Sequence, residues 1–197
     1  MAKRVTPFIL AALFLKFISF ACADEDALIG IIKRIAKQEV LVWVKNPVIV
    51  NAVREANEEA TGSLDEIIQL DKRWRAIEGI DEWINGFLDN PCANYLKEIQ
   101  EKDKDLYPEI FVMDKQGCIV GETDKTTDYW QGDEDKFIKS FDEGKGTIFI
   151  SESQFDESTQ RFLIQLSVPI IDPYSKNTIG VITVGIDLDI LAERLVY

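Results

Sequence analysis

The stretch Arg161 to Ile171, RFLIQLSVPII, constrains the fold of this chain more than any other. Its side chains alternate, with Phe162, Ile164, Leu166, Val168 and Ile170 on one face and Arg161, Leu163, Gln165 and Ser167 on the other. A strand of this kind needs cover on its apolar face and leaves a polar stripe behind it. Thr178 to Leu188 repeats the apolar pattern after a turn at Asp172 to Asn177, so the two stretches predict a long antiparallel pair.

The remaining strands are shorter. Ile110 to Met113 and Cys118 to Thr123 flank the turn DKQG, where Gly117 supplies a left-handed conformation, and Thr147 to Ser153 alternates before a polar turn at Phe155 to Gln160. Five strands in a core spanning 108–192 predict an antiparallel sheet. With a helical N-terminal half, that is an α+β architecture.

Upstream the period is helical. Leu28, Ile32, Ile35, Val42 and Val53 predict a long N-terminal helix over 24–60, kinked or divided at Pro47 after Asn46 and ended by Thr61 and Gly62. A helical segment over 63–104 follows. It opens with a capping box from Ser63 to Glu66, carries Ile67, Leu70 and Trp74, and continues through Asp81 to Leu88. A further helix starts at Asn90 and Pro91, holds Tyr95, Leu96 and Ile99, and ends in the charge run Glu101 to Asp105. After the hairpin, Thr126 or Thr127 caps a helix that includes Asp135 to Phe141, closed by Gly144 and Gly146.

Residues 1–23 read as a secretory signal peptide: Lys3 and Arg4 precede the apolar run Phe8 to Leu15, and Ala21, Cys22 and Ala23 give a cleavage pattern. Lys16 leaves the run shorter than the roughly 20 residues of a membrane span. The expectation is an exported, periplasmic protein of residues 24–197; the alternatives are a lipid anchor at Cys22 or tethering by an uncleaved N-terminus. Removal of residues 1–23 takes away three cations and no acid, so the formal charge of −13 falls to −16. Such a surface repels phosphate backbones and anionic headgroups, which argues against nucleic acid as a partner.

The chain has no histidine, which excludes serine–histidine and cysteine–histidine catalysis. Cys92 and Cys118 remain after export; they could pair, although their apolar and turn contexts suit buried free thiols. With so few soft ligands no metal or cofactor is expected. No two acids stand out as a glycosidase pair, and Asp124, Asp128 and Asp133 do not match the spacing of a calcium loop.

The richest local chemistry lies in TTDYWQGDEDKF, where Tyr129 and Trp130 stand among Asp128, Asp133 and Glu134. An aromatic pair beside carboxylates can wall a small-molecule pocket and attract a cation. Ser151 and the polar stripe of Gln165 and Ser167 are further candidates for the ligand set. Arg161, at the strand end, is expected to pair with Asp156 or Glu157 or to reach a ligand anion.

Four separated segments, NPVIVNAV (Asn46 to Val53), EIFVMDKQG (Glu109 to Gly117), TTDYWQGDE (Thr126 to Glu134) and IGVITVGIDLDIL (Ile179 to Leu191), together resemble the Cache family of PAS-like extracellular sensor domains. The resemblance covers roughly residues 27–192. It implies a single Cache domain: a PAS-like five-stranded antiparallel sheet, one face covered by the long N-terminal helix and the other holding a ligand pocket closed by the segment after the hairpin and bordered by the later loop that carries Asp156, which joins the candidate ligand set. In the amino-acid-binding branch that segment carries an arginine for the ligand carboxylate. Here the corresponding positions are Thr126, Thr127 and Asp128, which favours an amine or neutral ligand. Receptors of this type continue into a membrane helix and a signalling module, so for a chain ending at Tyr197 the resemblance implies a membrane receptor or kinase partner, with a homodimer through the N-terminal helix also compatible. The alternative reading is a protein-interaction or dimerisation module with a vestigial pocket.

Overall fold

A computed structural model of the protein describes residues 27–59, 62–156 and 159–194. The expected signal peptide and Cys22 lie outside the described residues. The first helix, α1, runs over 27–43, and its stretch Ala36–Val40 is wound as a π-helix. The extra residue in that wider turn rotates the helix, so Val40 and Val44 enter the core while Val42, read from the sequence as an apolar-face position, is 60% exposed. The chain breaks at 44–46. Asn46 Oδ1 accepts from Val48 N at 2.9 Å and starts α2, Pro47–Glu59, with proline in the first turn where its missing N–H costs nothing.

Three helices follow, each started by the cap its sequence provides. The capping box of Ser63 and Glu66 opens α3, Leu64–Ala76. Asp81 accepts from Ile84 N to open α4, Glu82–Leu88, and Asn90 accepts from Ala93 N to open α5, Pro91–Gln100.

The sheet contains β1 (Glu109–Met113), β2 (Ile119–Glu122), β3 (Phe149–Ile150), β4 (Gln154–Asp156), β5 (Arg161–Ile171) and β6 (Thr178–Asp187), all pairs antiparallel, in the order β2-β1-β6-β5-β3 with β4 also on β5. A helix α6, Asp135–Phe141, lies between β2 and β3, and α7, Leu188–Glu193, follows β6, capped by Asp187. No helix among the described residues is long and apolar enough to cross a membrane.

Packing divides the sheet cleanly. Ile110, Val112, Ile164, Leu166, Val168, Ile170, Ile182, Val184 and Ile186 meet Ile32, Val40, Ile49 and Val53 of the N-terminal helices and Leu96 of α5, a continuous apolar layer. On the other face Phe111, Met113, Ile119 and Val181 pack against Phe137 and Phe141 of α6. A third cluster joins Trp74 of α3 to Ile84, Leu88, Trp83 and Phe87 of α4, with Tyr129 against it.

Several expectations are corrected. The helix after the hairpin begins at Asp135, and Thr126 does not cap it: Thr126 Oγ1 donates to the Asp128 carbonyl, and the following backbone runs beside β2, with Ile119 N donating to Tyr129 O and Gln131 N to Gly117 O. Only Phe149–Ile150 of the predicted strand over Thr147 to Ser153 joins the sheet. The polar turn expected from Phe155 is shortened, because Gln154, Phe155 and Asp156 pair with the start of β5 as a sixth strand. The last strand ends at Asp187, not Leu188. Cys92 and Cys118 are free, buried thiols, both pushed up to about 12 by burial. Arg161 pairs with Asp187 at 3.0 Å and donates to the Asp105 carbonyl.

Candidate functional site

Strand register decides which side chains share the face beneath α6. Glu122, Phe111, Thr183, Ser167 and Phe149 are successive partners across β2, β1, β6, β5 and β3, and Glu109, Gly185 and Gln165 form the neighbouring row. The first row is sealed at its centre, where the buried hydroxyls of Ser167 and Thr183 share a 2.9 Å hydrogen bond.

The second row is built around a glycine. A Cβ on Gly185 would stand 2.5 Å from Glu109 Cγ, so the missing side chain is the space across which Glu109 lies. Gln165 Nε2 donates to Glu109 Oε1 at 3.1 Å, while Gln165 N donates to Ser151 Oγ at 2.9 Å. Glu109 is only 6% exposed, and burial, reinforced by the charge of Asp156, raises its carboxyl to about 7 against the opposing effects of Gln165 and Lys136.

Beside this row a cavity of about 400 Å³ opens between α6 and the β3–β4 edge. Glu134, Lys136 and Lys139 line it from the helix side, and Phe149, Ser151 and Gln165 from the sheet. Lys136 is the internal cation: its ammonium is 3.0 Å from Glu134 and 5.3 Å from the Phe111 ring centroid. Ser151 Oγ donates to the Glu152 carbonyl, and Ser167 is committed to Thr183. Ser151 therefore lines the cavity, whereas Ser167 is wholly buried and takes no part in its lining.

At the β2 end of the same face Glu122 is wholly buried. Its Oε2 accepts from Thr126 N at 3.1 Å, its Oε1 has no partner among the described residues, and burial raises its carboxyl to about 7. Gln131 Oε1 is likewise buried without a donor, while its Nε2 donates to the Asp128 carbonyl. Among the described residues no group of three or more acids and cysteines converges as a metal site.

The residues singled out in the sequence are distributed among three places. Ser151 and Gln165 line the cavity, Asp156 stands near Glu109, and Ser167 is buried on the same face. Asp128 instead pairs with Arg75 of α3 at 3.0 Å, and Asp133 is exposed, with Arg75 within the reach of its charge. Tyr129 and Trp130 are turned away from the polar rows. Asp71 Oδ1 accepts from both of their backbone amides, at 3.0 and 3.1 Å, and this clamp sends the Tyr129 ring among Trp74, Trp83 and Phe87. The Trp130 indole donates to the Gln116 carbonyl at 2.8 Å and lies over Gly132.

Glu109, Glu122 and Lys136 were not legible as site residues. In the sequence Glu109 looks like a polar strand flank after Pro108, and only its register against Gly185 reveals that it crosses the sheet. Arg75 was missed because its carboxylate partner, Asp128, lies on a distant loop.

No protein-family model matches the chain, and no curated protein matches it. Among solved structures, the extracellular domain of vpHK1S-Z8, described as a histidine kinase, aligns with a TM-score of 0.51 at 11% identity, over 97% of this chain and 64% of that one. The sensor domain of the V. cholerae histidine kinase DctB gives 0.49 at 14% identity, over 93% and 59%, and the sensory domain of the Campylobacter jejuni chemoreceptor Tlp3 with isoleucine bound gives 0.41 at 14%, over 95% and 66%. The chain thus spans about three fifths of the length of these structures. The layered helices, the antiparallel sheet and the alignment with vpHK1S-Z8 agree: the chain has a PAS-like α+β fold, shared with that extracellular domain.

Proposed function

We propose that the protein is a non-enzymatic, exported sensor module that binds a small polar molecule, amine or neutral in character, in the cavity between α6 and the polar rows of the sheet. The observation that carries this reading is the pair Gln165 and Glu109: Gln165 lines the 400 Å³ cavity, and directly behind it Glu109, laid across Gly185 and kept near neutrality by burial, accepts from its amide. A buried acceptor of this kind gains most from a ligand N–H or ammonium. The fold shared with an extracellular domain described as a histidine kinase supports a sensory role, with the signal passed to a receptor or kinase partner.

Thermal denaturation against a panel of small amines and neutral polar metabolites tests the proposal. A ligand at a hundred times its Kd stabilises the fold by about 2.7 kcal/mol. Gln165→Ala and Glu109→Gln are expected to remove that gain. A response unchanged in both variants overturns the assignment of the cavity.

A further inference from the structure

A second concavity, of about 880 Å³, opens on the other side of the β1–β2 hairpin, between α2 and α4, with the edge strand β2 as its floor. That volume falls in the range of small-molecule sites, and the walls have the matching character. Leu70, Phe87 and Val120 supply aliphatic and aromatic surface, and Trp83 and Tyr129 present half-buried rings from the aromatic cluster.

The charge of the lining has one sign. Glu55 and Glu59, one turn apart on α2, face the cleft from one side and Glu82 of α4 from the other, while Asp114 is buried at the floor. No lysine or arginine lines it among the described residues. This differs from the cavity under α6, which contains its own ammonium from Lys136. Carboxylates around an aromatic and aliphatic floor select against anions and reward a cation whose body is apolar, through charge pairing at the rim and ring faces within.

We propose that this cleft is a second binding site, for an organic ammonium ion with an apolar body. The apolar portion lies on Val120, Leu70 and Phe87, and the charge remains at the rim between the two helices. The proposal is independent of the ligand under α6.

The test uses the full chain and three probes that share a phenylbutyl body: 4-phenylbutyltrimethylammonium, 4-phenylbutanol and 4-phenylbutyrate, titrated by calorimetry. The cation is expected to bind about tenfold more tightly than the alcohol, given two or three partly solvated charge pairs, and the anion more weakly than either. Gly86→Trp is placed to block the cleft, because Gly86 lines it and a Cβ there meets nothing within 4 Å; it is expected to abolish binding of the cation. Glu55→Gln, Glu59→Gln and Glu82→Gln together change exposed rim groups only and are expected to bring the cation to about the affinity of the alcohol. Equal binding of all three probes, no binding of the cation, or a Gly86→Trp protein that binds it normally overturns the proposal. So does capture of a basic amphipathic peptide in its place, which would make the cleft a protein interface. Thermal shifts from the amine panel in the Gly86→Trp protein read the cavity under α6 separately.

Discussion

Replacing Glu109 by glutamine is expected to make the protein more stable at neutral and alkaline pH, and the size of the gain follows from the site. In the folded chain burial raises this carboxyl from its ordinary 4.5 to about 7. Such a group contributes its full stability below pH 4.5, where it is neutral in both states, and loses that contribution as pH rises towards and through 7. A displacement of this size is worth about 3 kcal/mol. Glutamine mimics the neutral acid and still offers an oxygen to Gln165 Nε2, so the two proteins should have similar stability at pH 4.5. By pH 8 the variant should be ahead by about 3 kcal/mol, or roughly 6–12 °C in Tm for a chain of this length. Urea denaturation of both proteins at intervals from pH 4.5 to 8.5 measures the difference directly, and comparing two proteins cancels the titration of distant carboxylates. A difference that stays constant across that range, or a wild-type protein that gains on the variant above pH 7, would show that Glu109 is not a buried neutral acid. An amine in the cavity should reverse the trend, stabilising the wild-type protein more as Glu109 ionises.

Asp71→Ala removes the acceptor shared by Tyr129 N and Trp130 N along with the ion pair to Arg75, and should cost about 2–4 kcal/mol in urea denaturation while amide exchange accelerates at residues 128–131. Trp74, fully buried with its indole donating to the Thr126 carbonyl at 2.8 Å, should lose about 1–2 kcal/mol as Phe and about 3–5 kcal/mol as Ala, read by chemical denaturation. Gly185→Ala forces Glu109 off the sheet, because the new Cβ would stand 2.5 Å from its Cγ; about 1–3 kcal/mol of stability and the thermal response to small amines should both disappear.

The candidate site shows where local reading stops. Gln165 could be identified as a polar residue in an alternating strand, since alternation is a property of the strand itself. Its partner Glu109 is 56 residues away, and their meeting depends on two strand registers and on a glycine between them. Tyr129 and Trp130 looked like a binding pair because composition is local. Their orientation is set by Asp71, 58 residues upstream of Tyr129, which takes both amides, so that the Tyr129 ring joins the aromatic cluster beside the cleft at β2 and the Trp130 indole reaches the Gln116 carbonyl.

Period, capping chemistry and turn residues act within a few neighbours, so the sequence by itself determined the break at Asn46 and Pro47, the caps at Ser63, Asp81 and Asn90, the hairpin at DKQG, and the two long strands with their apolar face. The π-turn in α1, the edge pairing of β4 and the loop over 126–134 were decided by the tertiary structure, which also set the burial of Glu109 and Glu122 and the cleft beside β2. Each of these depends on which distant surfaces meet, because a carboxyl's charge state and a ring's direction are fixed by the groups that exclude water from them.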